Sequence, residues 1–160
     1  MPHLHEKIDF VSSVYIVNGD AVLLRKHDKY KMWLPPGGHI ELDEDPSEAA
    51  TREVKEEVGL DITLSGITPL TPQSDAVDPS RDGRDIVVPY FINRHQVNET
   101  HEHISFEYFA TANSRVVTQE EKELSDDIQW FTKDMLENPE YDIPKRVVRY
   151  AKKALEVLGT

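Results

Sequence analysis

Between Leu34 and Leu60 the chain reads LPPGGHIELDEDPSEAATREVKEEVGL. Its last part places Arg52, Glu53, Glu56 and Glu57 within six residues. On a helix at about 100° per residue, Glu53 and Glu57 lie one turn apart and Glu56 falls on the same flank. Ala50, Val54 and Val58 fall on the side that meets a core. Three carboxylates near a helix C-terminus oppose its dipole, each by about 0.3–1 kcal/mol, unless a cation compensates. An all-oxygen donor set suits Mg²⁺ or Mn²⁺, which also bind substrate phosphates. The plainer alternative is a solvated acidic face, with Arg52 paired to Glu48 one turn away. Gly37 and Gly38 allow close backbone approach to a ligand, and a carbonyl there can add a metal oxygen. Glu44 can join the carboxylate network or receive Arg52.

These groups need a helix to gather them. Asp45 has the character of an N-cap, Pro46 suits the first helical position, and Glu48 completes a capping box. Gly59 suits the left-handed position that ends a helix. The signals predict a helix from Pro46 to Val58. Strands are predicted at Ile8–Val17 and Ala21–Leu24, joined by the Asn18-Gly19-Asp20 turn. Others are predicted at Leu60–Ile67, at Ile86–Ile92 with Pro89 marking an edge or bulge, at Ile104–Ala110 and at Asp127–Phe131. Residues Thr71–Asp85 form a polar loop long enough to act as a lid or recognition loop. Lys145–Leu158 is a last helix, its apolar stripe made of Val147, Val148, Ala151, Ala154, Leu155 and Leu158. This order predicts an α/β domain with a central sheet between helical layers.

Composition narrows the function. The chain has 160 residues, 38% of them hydrophobic, without repeats or linkers, so one domain covering residues 1–160 is expected. The net charge of −12 disfavours a grip on long nucleic acids but permits a small phosphorylated ligand bridged by divalent cations. There is no cysteine, which excludes disulfides, thiolate catalysis and cysteine-zinc modules. The N-terminus has no signal-peptide pattern and no apolar run reaches membrane-spanning length. A cytoplasmic protein without a membrane partner is expected; the oligomeric state stays open, a homodimer being one option.

The residues Gly38, Glu44, Arg52, Glu53, Val54, Glu56, Glu57, Gly59 and Leu60 stand at the spacing of the Nudix box, and every fixed position matches. The chain resembles the Nudix hydrolases over this segment, about a seventh of its length. The resemblance implies an α/β/α sandwich around a central mixed β-sheet. It implies Mg²⁺- or Mn²⁺-dependent hydrolysis of a pyrophosphate bond, in a nucleoside diphosphate linked to another group X or in a nucleoside triphosphate. Glu53, Glu56 and Glu57 would hold the ions with help from the Gly37 or Gly38 backbone. Arg52 would orient the glutamates through Glu44 or Glu53, and Glu44 would support the network. The ions would neutralise the diphosphate, activate water and stabilise the leaving phosphate.

Outside the box, family members often take a general base from a later loop. Glu120 is the candidate, with Glu121 and Glu123 beside it; a solvated acidic loop is the alternative. His101 and His103 would share one strand face with Ser105 and Glu107, where they can meet phosphate or metal. Polar strand positions without a ligand are the plainer reading, as for His3 and His5. Arg81 and Arg84 can clamp phosphate. Trp33, Tyr90 or Phe91 can stack on a base, or belong to the core. No signature of the ADP-ribose, dinucleoside-polyphosphate or coenzyme A subfamilies is present. A nucleotide-sensing module of the same fold is the competing function. Isopentenyl diphosphate isomerisation ranks last, because that relative's chemistry uses a cysteine.

Overall fold

Alternating apolar residues open the sheet. β1 (Ile8–Asn18) turns at Gly19 and returns as β2 (Ala21–Lys26). β3 (Trp33–Leu34) and β4 (Gly37–His39) flank the proline corner, and α1 (Pro46–Val58) follows. Then come β5 (Ile62–Ser65), β6 (Phe91–Asn98), β7 (His101–Ala112) and β8 (Asp127–Thr132). A short α2 (Lys133–Glu137), a 3-10 turn (Pro139–Tyr141) and α3 (Lys145–Leu158) complete the chain. This computed structural model describes residues 7–67, 83–119 and 127–160. Among them, no helix is long and apolar enough to cross a membrane.

Among the described residues, eight strands form one mixed sheet with the path β3-β2-β1-β7-β5; β4 pairs with β1, β6 with β7 and β8 with β2. β1 and β7 run parallel from Ile8 opposite Glu102 to Val17 opposite Thr111. Strand alternation divides the core between two faces. Val14 and Ile16 turn toward Ala50, Val54 and Val58 of α1. Tyr15 and Val17 turn toward Val147, Tyr150, Ala151 and Ala154 of α3. The result is the expected α/β/α sandwich.

The structure corrects several boundaries. Residues 86–90 are not a strand. Pro89 has no N–H to donate, and pairing with β7 begins only at Phe91 opposite Glu107. The strand then runs through Asn93, Arg94, His95 and Gln96, a polar stretch with no buried residue. Its partner β7 starts three residues before the expected Ile104 and ends two residues beyond Ala110. β5 is shorter than the expected Leu60–Ile67, and α2 was not foreseen.

Candidate active site

Asp45 accepts hydrogen bonds from the backbone N–H groups of Ser47 (2.8 Å) and Glu48 (3.0 Å), while Glu48 accepts from the Asp45 N–H (2.9 Å). This reciprocal cap fixes the start of α1. Ser12 ties it to the sheet by donating to the Pro46 carbonyl (2.7 Å). Gly59 ends the helix at φ +67°, and a side chain there would strike Thr118.

Arg52 is the hub on this helix. Its Nε and Nη2 donate to the two Glu44 oxygens (3.0 and 2.6 Å), and Nη1 donates to Glu53 (2.9 Å) and Glu56 (3.0 Å). Nη2 also donates to the His39 carbonyl (3.0 Å), so all five guanidinium N–H groups are engaged. Hydrogen bonding from Arg52 holds the Glu44 carboxyl below its ordinary range. The alternative Arg52–Glu48 pair is not what forms. Glu48 instead pairs with Arg84, which bridges Asp45 (3.0 Å) and Glu48 (2.7 Å) at the other end of the helix.

Glu57 is buried at 3% exposure. One oxygen accepts from the buried Arg25 guanidinium and the other from the Gly37 N–H (2.9 Å). Gly38 leaves room for Glu53: a Cβ on it would come within 2.4 Å of a Glu53 oxygen. Glu53 and Glu57 line one cavity of about 340 Å³ with Arg25, His27, Gly37, Gly38, His39 and Arg52. Glu56 is more exposed, at 44% of its side chain, and does not line that cavity. The expected convergence of three carboxylates is therefore met by two, with Glu56 held on the outer side of Arg52. Among the described residues the three glutamates do not bring their donor atoms within 4.8 Å of one another; Asp9, His39, His101 and His103 do.

A second cavity of about 340 Å³ shares Arg25, His27, Gly37, Gly38 and His39 with the first and continues past Tyr30, His95, Glu107 and Arg146. Together they form one cleft. Glu107 is buried on its wall and accepts from Asn93 (2.7 Å). Burial pushes its carboxyl above the ordinary range. Burial, followed by the nearby Arg146 charge, lowers His95 to about 4; burial, followed by His39 and His101, lowers His103 to about 4. Sequence reasoning missed Arg25 and Arg146, whereas Glu107 had been placed on the strand face of His101 and His103. Arg25 follows the apolar run Ala21-Val22-Leu23-Leu24, and a charge ending such a run was the available signal.

Of the aromatics, Trp33 is core, packed edge-on against Phe131. Tyr90 stacks on Phe109 and Phe91 stacks on Tyr150. Glu120, Glu121, Glu123, Arg81, His3 and His5 lie outside the described residues, as does most of the Thr71–Asp85 loop.

The model of the NUDIX domain matches residues 9–151. The chain belongs to the Nudix family. A Nudix-family hydrolase structure from Clostridium perfringens is 37% identical, with a TM-score of 0.79, covering 94% of this chain and 97% of that one. The MutT Nudix hydrolase of Burkholderia pseudomallei shares the fold at 22% identity and a TM-score of 0.61, covering 96% and 99% of the two chains. The m7GpppN-mRNA hydrolase NUDT17 of Xenopus laevis is 35% identical over 97 residues, 56% of this chain and 32% of the relative. The chain thus matches about a third of that curated relative's length. The Clostridium and Burkholderia structures are both named as hydrolases of this family.

Proposed function

We propose that this Nudix hydrolase cleaves the pyrophosphate bond of a small nucleotide, a nucleoside diphosphate linked to X or a nucleoside triphosphate, with Mg²⁺ or Mn²⁺. The observation that carries the reading is the Arg52 hub. It clamps Glu44, Glu53 and Glu56 beside the cavity that Glu53 and Glu57 share with Gly37 and Gly38. The oxygen donors that line this cavity suit a hard divalent cation, and Gly38 lets Glu53 reach it. Glu53, Glu56 and Glu57 would hold it, aided by the Gly37 or Gly38 backbone. When bound, the cation supplies charge neutralisation and Lewis acidity at the phosphoanhydride.

The chain's own residues do the rest. Arg52 uses its fork to fix the carboxylate orientations, while Glu44 anchors that fork. Arg25 holds the Glu57 carboxylate toward Gly37. The cleft beyond Gly38, lined by Tyr30, His95 and Arg146, is where the nucleoside or X would lie. Glu120 remains our candidate base. Arg81 and Arg84 remain candidate phosphate contacts, and the chain is read as a single domain.

NUDT17 carries the name m7GpppN-mRNA hydrolase. The net charge of −12 favours a small nucleotide over a long RNA for this chain. The test is a panel of deoxynucleoside triphosphates, oxidised guanine nucleotides, ADP-ribose, diadenosine polyphosphates, nucleotide sugars and capped RNA, with Mg²⁺ or Mn²⁺ and products resolved by chromatography. Release of a mononucleotide product, lost in Glu57→Gln, is expected. Nucleotide binding without any cleavage across the panel would instead establish a sensing module.

A further inference from the structure

We propose that Asp9, His39, His101 and His103 form a second cation site, built for a borderline divalent ion such as Zn²⁺ and separate from the glutamates of α1.

Three strands build it. In the parallel β1–β7 ladder Asp9 stands opposite His103, and in the antiparallel β1–β4 ladder Val11 stands opposite His39. Alternation puts Asp9 and Val11 on one face, and His101 and His103 on that same face. The four side chains are thereby set by backbone hydrogen bonds, although residues 9, 39 and 101 are far apart in sequence. One donor atom from each lies within 4.8 Å of all the others. Nε2 of His101 is 3.1 Å from an Asp9 oxygen, and Nε2 of His39 is 3.4 Å from the same oxygen. The His103 ring packs edge-on against both His39 (5.2 Å) and His101 (5.1 Å).

The donor set is the argument for the ion. Three imidazoles around one carboxylate exceed what a single ion pair uses. Three nitrogens and one oxygen match tetrahedral Zn²⁺, whose ligand bonds of about 2.0–2.2 Å place neighbouring ligand atoms about 3.4 Å apart. The present spacing, up to 4.8 Å, would contract to that on binding. Imidazole ligands favour Zn²⁺, Cu²⁺, Ni²⁺ or Fe²⁺ over Mg²⁺, so the two sites select different metals. Asp9 and His101 are partly buried, while His39 is 61% exposed and leaves a path for entry.

The site would also act on the first one through β4. Successive residues of that strand point opposite ways: Gly38 toward Glu53, His39 toward Asp9. The carbonyl of the same His39 accepts from Arg52. An ion on the His39 ring would pin β4 against β1 and β7, making these four side chains positioning groups for the glutamate network.

The experiment uses the full chain, stripped with chelator and then saturated with Mg²⁺ to fill oxygen sites. Zn²⁺ is titrated by calorimetry and Co²⁺ by visible absorption. We expect one equivalent to bind, with a tetrahedral Co²⁺ spectrum and a Zn²⁺-dependent rise in Tm. The paired variant His101→Ala with His103→Ala should weaken Zn²⁺ binding by more than roughly 100-fold, beyond the range caused by groups that merely support a ligand. Glu53→Gln and the pair His3→Ala with His5→Ala should leave the titration unchanged. Should the first pair fail to fold, Asp9→Asn and the exposed His39→Gln carry the same expectation of weakened binding. The proposal is overturned by no bound Zn²⁺, by full binding in the strand variants, or by loss of binding in the Glu53 or His3/His5 variants.

Discussion

The two faces of the β1–β4–β7 strip hold polar groups by different means. On the α1 side, one helix supplies Glu53, Glu56 and Glu57, and two arginines, Arg52 and Arg25, restrain them. On the other side, three strands supply Asp9, His39, His101 and His103, and the ladder spacing brings them together. A helix gathers neighbours in sequence, so its chemistry is written as a compact motif. A sheet gathers strangers, and its chemistry has no local pattern.

The first site should therefore be sensitive to its arginines, and the second to strand placement. The largest effect is expected for Glu53→Gln: kcat should fall on the order of 10²–10³-fold, the size of losing one group that stabilises transition-state charge. Steady-state kinetics at saturating Mg²⁺ measures it, and full activity would remove Glu53 from the site. Next, Arg25→Met leaves the buried Glu57 carboxylate without its cation, which should cost about 3–5 kcal/mol in urea denaturation. An unchanged midpoint would show that Arg25 is not needed to hold the buried carboxylate. Arg52→Lys keeps the charge but loses the fork, and a roughly 10–100-fold drop in kcat is expected with little change in KM. If KM rises instead, Arg52 touches substrate directly.

Smaller still is the effect of Glu107→Gln. Burial raises the native carboxyl's pKa, so the folded state holds its proton more tightly than the unfolded chain. That contribution favours folding below the unfolded value and fades as pH rises through the native one. The glutamine variant should thus gain Tm relative to wild type more at pH 8 than at pH 5. An equal difference at both values would contradict the shift. The smallest effect is expected for Arg84→Ala, whose exposed contacts to Asp45 and Glu48 are open to solvent. A melting loss as large as that of Arg25→Met would reverse this ranking.

The contrast also explains what could be read in advance. Both α1 and α3 match their expected bounds residue for residue, because caps and a 3.6-residue apolar period are local signals. The Arg52–Glu44 contact was legible in the same compact segment. β6 was misplaced because its outward-facing polar residues show no apolar alternation. Arg25 was missed because the apolar run before it marks a buried strand without showing that the charge at its end is buried too. The His101/His103 pair was noticed, but the Asp9 and His39 that complete the group depend on a register that sequence does not display.

That register has a kinetic consequence. Ten residues of β1 align in parallel with ten of β7, more than ninety positions downstream. Loop closure over so long a span is entropically costly and tends to form late in folding. In refolding, α1 can assemble its Arg52 contacts early from neighbours in the chain, whereas the Asp9–His103 pairing waits for the two distant strands to meet. A Co²⁺ absorption signal from that side of the sheet would then mark the closing step of the fold, well after helical circular dichroism has returned.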